Sequence, residues 1–451
     1  MTQEKTPYTL GPFIILTIIF FIVGFLTTIN GQFQGPMQIA FLSKADALRN
    51  TLTTLISFFF FLGYLLTSGI AARWVNSHGY QSTLARSMFI MVAGLLTYAL
   101  AAWIGSSRPE FGITLGADFV PWAYFIFLIG CFLMGTSAAM MQVVINPYVA
   151  SWEMPGTSAV QRMNIATGVN SIGTTIGPFF VTAVIFAGVA MEAVRPGQVI
   201  APILWIGAAV LVVTLITMRL PLPDLASTRS STALPRSVWS FSHLALGVCS
   251  IFLYVGAEVS IGVNINMHAM QLLERGGDLT FFGSHSLTLA GLNLGIPALL
   301  ATLYWGGMMV GRLVSSAFPK AAPRPLLGAT TLIAALLVLI AMFTDNLYVL
   351  SAIGLCHSVM WGCIFTLAVA GLGAYTSNAS GVFMMGVFGG AVFPLLQGML
   401  ADYLGSWRWT WFLVLACELA MFLYAVWGSR VRDPEARANL QNIVPPVDPG
   451  E

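Results

Sequence analysis

The sequence predicts an all-α membrane protein, with twelve transmembrane helices in two pseudo-symmetric six-helix halves. Three observations predict it. Of 451 residues, 57% are hydrophobic and 8% charged, where soluble proteins carry roughly 25% charge. Apolar runs of about the 20 residues that one bilayer crossing needs recur along the whole chain. There are twelve such runs, and the two sixes share a Gly-to-Pro spacing at the same place.

In order, the runs occupy 12–40, 51–72, 83–104, 119–150, 160–189 and 200–218, then 241–272, 294–317, 325–343, 346–373, 379–402 and 408–427. The first is longer than a signal-peptide core and lacks a small-residue cleavage site, so it counts as a span. Residues 1–219 form the N-terminal half and 241–428 the C-terminal half, with a polar tail at 429–451. Between the halves, 220–240 carries Pro221, Pro223 and Pro235 among Ser and Thr, the composition of a solvated linker. The fifth run holds Gly173 and Pro178 and the eleventh Gly389 and Pro394, each glycine five residues before its proline. The second and eighth runs end alike, in glycine-containing stretches that lead to Arg73 and Arg312. Two matches at corresponding positions favour a duplicated six-helix unit.

With the N-terminus inside, Lys44, Arg49, Arg108, Arg195, Arg275 and Arg408 fall outside, leaving 13 of the 19 Lys and Arg residues on the cytoplasmic side. That excess places both termini in the cytoplasm. A net charge of +2 is too small to suggest nucleic acid. The five cysteines lie in apolar runs without metal-ligand spacing and read as buried thiols. There is no Gly-Lys-Ser/Thr phosphate loop, which speaks against ATP-driven work, and no paired His, Glu and Asp cluster for hydrolysis.

The polar residues inside the apolar runs are the candidate site. An uncompensated amide in hydrocarbon costs roughly 4–8 kcal/mol, so each needs a partner. Gln142 and Asn146, four apart, share a helix face beside Pro147, whose missing N–H frees a carbonyl. Thr167, Asn170 and Thr174 form a face of the next span, and Asn164 sits near its cytoplasmic end as a packing residue. Asn30 and Gln34, among Gly31, Gly35 and Pro36, suggest a kinked first helix near a cavity, with Gln34 toward the outer surface. Each amide has a competing reading as interhelical glue. For the group, contact with a hydroxylated solute is favoured.

Glu258, deep in the seventh span, is the costliest residue and a functional candidate by default. Asn264 and Asn266 follow it. Glu418 in the last span takes a structural or lipid-interface role. His357 and Trp361, four apart in the tenth span, could offer a ring and a donor to a sugar, and Gln397 after Pro394 extends the polar set. Tyr254, Trp305 and Trp361 are the candidate stacking surfaces.

Several motifs occur in order: Gln142 before Asn146-Pro147-Tyr148, Met163-Asn164 leading to Asn170-Ser171-Ile172-Gly173, Tyr254-Val255-Gly256-Ala257-Glu258, Tyr304-Trp305-Gly306-Gly307 with Gly311-Arg312, and Gly389-Gly390-Ala391-Val392-Phe393-Pro394 with Gln397-Gly398. Together they resemble the fucose permease and glucose/galactose branch of the major facilitator superfamily over nearly the whole chain. The resemblance implies a twelve-helix monomer that works by alternating access around a central site for a hexose, deoxyhexose or amino sugar. In that pattern, proton coupling is associated with an Asp in the first helix and an acid before the Asn-Pro motif. The matching positions here are Gly31 and Gln142, so both carboxylates are missing. The family's sugar-contact positions in the fifth helix fall at Thr167 and Asn170, of which only Asn170 keeps an amide. Glu258 is then the remaining deep carboxylate that could carry a coupling proton or help bind sodium; uniport stays open.

These readings converge on a monosaccharide carrier of the inner, cytoplasmic membrane. Its expected partners are sugar, a proton or sodium co-substrate, and the lipid bilayer, with no cofactor, no metal and no enzymatic activity. Two alternatives are an exporter of amphiphiles on the same scaffold, against which the facing amides argue, and a non-transporting nutrient receptor, which usually adds a long signalling tail.

Overall fold

The structure, a computed structural model, describes residues 10–151, 159–186, 193–220, 236–289, 292–316 and 322–443. Among them, twelve helices are long and apolar enough to cross a membrane. The N-terminal half comprises α1 (Leu10–Gln32) with its continuation α2 (Gln34–Leu42), α3 (Arg49–His78), α4 (Tyr80–Ser107), α5 (Trp122–Ser151), α6 (Ala159–Phe179) and α7 (Ile200–Arg219). The C-terminal half comprises α8 (Ser242–Glu274), α9 (Ile296–Ser316), α10 (Pro323–Thr344), α11 (Leu347–Ala368), α12 (Thr376–Met385) continued by α13 (Gly389–Leu404), and α14 (Phe412–Leu423). Most of the expected linker, 221–235, lies outside the described residues.

The interruptions fall where proline and glycine put them. α1 gives way to α2 at Phe33, three residues before Pro36, whose ring supplies no N–H to the ladder. Pro178 near the end of α6 is followed by a wide π turn, Phe180–Ile185. The eleventh crossing breaks into α12 and α13 at a 3-10 turn, Gly386–Phe388, and Pro394 sits inside α13. α5 passes Pro147 without a break.

Close backbone approaches repeat between the halves. A Cβ on Gly135 of α5 would lie 1.7 Å from the Phe60 carbonyl oxygen of α3, and one on Gly354 of α11 would lie 2.1 Å from that of Tyr304 in α9. Gly173 of α6 likewise faces the Phe21 carbonyl of α1, and Gly389 of α13 faces that of Phe252 in α8. The fourth span thus leans on the second, and the fifth on the first, in both halves. This gives the Gly-to-Pro echo its physical meaning, because the glycine must stay bare for the backbones to touch.

The outer surface is apolar, with Trp205 at 78% and Phe343 at 68% exposure. An apolar groove of about 440 Å³ lies between the π turn and α7, on this lipid-facing side. Cys249 is also exposed, which corrects the expectation that all five thiols are buried. Two elements were not anticipated. Antiparallel hairpins join α4 to α5 (β1, Gly112–Leu115; β2, Asp118–Pro121) and α8 to α9 (β3, Ser286–Leu289; β4, Leu292–Gly295). The tail is not bare either. A helix, α15 (Pro434–Ile443), packs back on the bundle through Asn439 Nδ2, 2.9 Å from the Gly371 carbonyl, and through Asp433, 2.8 Å from Arg236.

At the hairpin end, two carboxylates hold the entry to α3. Asp118 of β2 accepts from the backbone N–H groups of Asp46, Ala47 and Leu48 at 2.6, 3.0 and 2.9 Å. Burial raises its pKa, but these three donors outweigh burial and hold it below the usual carboxylate value. Asp402, at the end of α13 in the other half, accepts from Asn50 N and Thr51 N at 3.0 and 2.6 Å, in the first turn of α3. A helix N-terminus in one half is therefore capped from the other.

Replacing Asp402 with Ala should cost about 1 kcal/mol of that cap. Amide hydrogen exchange at Asn50 and Thr51 should quicken roughly fivefold, and unchanged exchange would refute the cross-half cap. The Asp118 contribution is present above the unfolded-state carboxylate pKa and fades as pH falls through its lower folded value. Asp118→Asn should therefore melt below wild type at neutral pH, with the difference shrinking in acid; a pH-independent gap would contradict it.

Candidate functional site

The two halves meet through polar side chains that the bilayer leaves no other partner. Gln32 at the end of α1 donates to the Gly262 carbonyl of α8 at 2.9 Å and accepts from Asn266 Nδ2. Nearer the end that carries the termini, Arg312 Nη1 of α9 donates to Ser171 Oγ of α6 at 2.6 Å. On the flank, Phe58 of α3 meets Phe388 beside α13, ring to ring at 6.2 Å.

Behind these contacts, the N-terminal wall is built by α3, α5 and α6. Half-buried Gln142 donates to Tyr64 Oη at 3.0 Å, and half-buried Asn146 lies one turn further on. Asn170, also half-buried, donates to the Phe20 carbonyl at 2.8 Å. Its carboxamide rests where a Cβ on Gly24 would lie, 2.5 Å from Nδ2, so only glycine admits it. Thr167 is half-buried on the same helix and accepts at its carbonyl from Ser171 Oγ; Thr174 Oγ1 bonds the Ser171 carbonyl at 3.0 Å. Residues 152–158 and the side chain of Asn164 lie outside the described residues.

The C-terminal wall is more heavily networked. Tyr254 Oη lies 3.0 Å from Glu258 Oε1 and 3.0 Å from the His357 carbonyl oxygen. His357 Nδ1 is 2.6 Å from Tyr304 Oη, and its Nε2 is 2.7 Å from Glu418 Oε1. Tyr254, Tyr304, His357 and Glu418 are each fully buried, whereas Glu258 is half-buried. The Arg312 charge bears on Glu258 from α9 without a direct ion pair among the described residues. Trp305 Nε1 shares the Gly262 carbonyl at 3.3 Å, and Trp361 stands edge-on to Tyr254 with ring centres 6.2 Å apart.

Several expected site residues are engaged elsewhere. Asn30 is buried and accepts from the Tyr98 hydroxyl within the N-terminal half, so it packs α1 on α4. Gln34 is fully buried, not near a surface, and donates to Ser57 Oγ at 2.9 Å. Asn264 donates to Gln397 Oε1 at 2.9 Å, and Gln397 donates to Thr410 Oγ1 at 3.0 Å, so this pair ties α8 to α13 and to the turn before α14. Asn266 serves the closure at the hairpin end. His357 has both ring nitrogens occupied and presents neither to a cavity. Glu418 has no exposed surface, which removes its lipid-interface reading.

What the structure does bring together, from both halves, is Asn170 and Ser171 of α6, Arg312 of α9, and Glu258 with Tyr254 of α8. Arg312 escaped the sequence reading, which counted it as a cytoplasmic charge at the end of a span. Its place four residues inside α9 was the available signal, since a guanidinium within a membrane helix faces a partner or a cavity. Tyr64 and Tyr98 were not singled out in the sequence, and Tyr304 entered only as part of the Tyr304-Trp305-Gly306-Gly307 motif.

No protein-family model matches the chain. A glucose/galactose transporter of Brucella abortus is 31% identical over 424 residues, covering 92% of this chain and 93% of its own. The L-fucose-proton symporter of Escherichia coli is 25% identical, covering 93% of each chain. Among solved structures, the E. coli fucose:proton symporter superposes with a TM-score of 0.63 at 22% identity, over 94% of this chain and all of that one. The proton:xylose symporter XylE bound to 6-bromo-6-deoxy-D-glucose gives 0.67 at 12% identity, over 98% of this chain and 100% of that one. At these identities the superpositions speak for the fold alone.

If Asn170 is a packing amide as well as part of the wall, Asn170→Ala will leave the Phe20 carbonyl short of that donor. The sugar-free protein should then lose about 0.5–1.5 kcal/mol of stability in thermal unfolding, since the Phe20 carbonyl keeps its bond within α1. A variant as stable as wild type would assign Asn170 to solute contact alone.

Proposed function

The chain belongs to the fucose permease and glucose/galactose transporter branch of the major facilitator superfamily, and from that premise we infer that it carries a monosaccharide across the membrane as a secondary transporter. The observation that carries the reading is the near full-length match to a glucose/galactose transporter. It is joined by half-buried amides, Gln142 and Asn146 on α5 and Asn170 on α6, the second of these helices packing along α9 of the opposite half. Sugar hydroxyls both donate and accept, and carboxamides answer both needs with one side chain. The relatives are transporters, not enzymes, and the twelve apolar helices fit a multi-pass protein of the bacterial inner membrane.

We assign substrate recognition to the space between α5, α6, α8 and α9. Gln142, Asn146, Thr167 and Asn170 would serve one side, with Trp305 and Trp361 as apolar platforms on the other. The coupling ion in this proposal is the proton, as in the fucose symporter's name, and Glu258 is its cavity-facing acceptor. Glu258 is half-buried, hydrogen-bonded to Tyr254 and held under the influence of Arg312. Gly31 and Gln142 cannot titrate. The Lys and Arg distribution supports both termini in the cytoplasm, and we take the working unit to be a monomer.

Reconstituted protein should take up one or more of D-glucose, D-galactose and L-fucose, and an imposed inward proton gradient should raise uptake above that seen with a sodium gradient. Absence of uptake and of exchange for every sugar in the panel would end the reading. In Glu258→Gln, gradient-driven accumulation should be lost; accumulation with unaltered pH and sodium dependence would dismiss Glu258 as the coupling group.

A further inference from the structure

The coupling proposal above uses Glu258 and leaves a second acid buried in the same half without a role. Glu418 of α14 has no exposed surface, and its Oε1 meets His357 Nε2 at 2.7 Å. Its other oxygen, Oε2, has no hydrogen-bond partner among the described residues. The remaining ionisable groups near the pair are the Tyr254 and Tyr304 phenols on α8 and α9, and the Cys356 and Cys417 thiols beside His357 and Glu418. Beyond Tyr254 stand Glu258 and Arg312. α10, which packs on α14, bears no ionisable residue past Arg324.

Proton counting separates the states this cluster can hold. Tyr304 is fully buried, and the His357 ring is the only acceptor its hydroxyl finds among the described residues. The phenol proton therefore points at Nδ1, which fixes the ring proton on Nε2, aimed at Glu418 Oε1. With the ring neutral, an ionised Glu418 would be a net negative charge in the bilayer interior, met by one N–H and leaving Oε2 bare. With a proton on Oε2 the cluster is neutral and lacks only a partner for one hydroxyl. An unpaired neutral hydroxyl is the smaller cost, because a buried charge without a counter-ion loses its whole hydration.

We propose that Glu418 and His357 form a second proton site of the transporter, separate from Glu258, loaded in the conformation closed at the hairpin end. Loading forms one O–H bond on Oε2 from a proton delivered by water, and unloading returns it to water, with no other bond changed. Tyr304 and Tyr254 are positioning residues. Tyr304 sets the tautomer of His357. Tyr254 has one proton to give either to Glu258 or to the His357 carbonyl, so the charge on Glu258 decides how firmly α11 is tied to α8. This deepens the reading as a proton-coupled sugar carrier and rests on it.

Infrared difference spectra of the reconstituted full chain, titrated from acid to alkaline pH, test the site directly. Of the carboxylic-acid C=O bands that titrate in wild type, one should persist in Glu258→Gln and be missing from Glu418→Gln. Proteoliposome uptake of the same sugar panel supplies the second arm. In Glu418→Gln the sugar accumulation ratio under a proton gradient should fall to about unity, while sugar exchange falls far less. Accumulation by Glu418→Gln equal to wild type overturns the proposal, as does a Glu418→Gln protein that keeps every titrating C=O band of wild type. Should wild-type vesicles move no sugar at all, the transport reading fails, and the spectra alone decide the proton site. If Glu418→Gln does not reach the membrane, Glu418→Asp is the second variant: it should displace that same C=O band in frequency and midpoint, and an undisplaced set of bands overturns the proposal.

Discussion

In a bilayer there is no solvent to complete a hydrogen bond, and most of this structure follows from how each polar group meets that condition. Short hydroxylated side chains meet it locally. Thr17, Thr27 and Thr214, for example, return their hydroxyls to the carbonyl one turn back in their own helix, at 2.8, 2.7 and 2.7 Å. Several amides and acids instead reach across to another helix. Asn264 reaches Gln397, Asn170 reaches Phe20, Glu418 reaches His357, and in each case two helices are fixed in register by the bond. The polar inventory is thus the wiring of the bundle, and its apolar remainder is what the lipid covers.

Close packing follows the same logic by a different means. Without a hydrophobic drive between helices in lipid, association depends on van der Waals contact and is strongest where backbones touch. Gly135 on Phe60 and Gly354 on Tyr304 supply such contact at equivalent places, so each half is cohesive as a unit. Between the halves the contact is of another kind. α3 packs along α13 and α6 along α9, Gly31 of α1 lies against Val263 of α8, and the polar contacts are those at the hairpin end and the Arg312 bond to Ser171.

Much of this was legible in the sequence, because length, charge and hydropathy alone determine which segments can cross a membrane. The twelve crossings, the break at Pro36 and the echo of Gly173 in Gly389 were all readable as local patterns. The role of each amide was not. Asn30 and Asn170 look alike in sequence, yet one faces Tyr98 inside its half and the other stands half-buried beside the interface. Only the rotation of each helix about its axis decides that, and rotation is set by neighbours far away in the chain. His357 and Glu418 are separated by 61 residues, and neither alone suggests the other. Arg312 was hidden by the positive-inside argument, which treats a cation near a span end as a loop charge. The hairpin at 112–121 escaped because its first strand lies in a short connection, while Phe119, Val120 and Pro121 of its second read as the start of the fourth span.

The division of labour has an energetic consequence for function. Two halves that rock must separate repeatedly at one end, so the bonds broken there must be individually cheap and replaceable by water. Each hydrogen bond nets about 0.5–1.5 kcal/mol once water competes. The bonds of Asp402 to α3, of Gln32 to Gly262 and of Asn266 to Gln32 therefore total a few kcal/mol, not tens. Inverting an equilibrium between two states from about 1:99 to 99:1 requires about 5.5 kcal/mol of differential binding. A sugar held by several amides, together with a proton neutralising a buried carboxylate, can supply that.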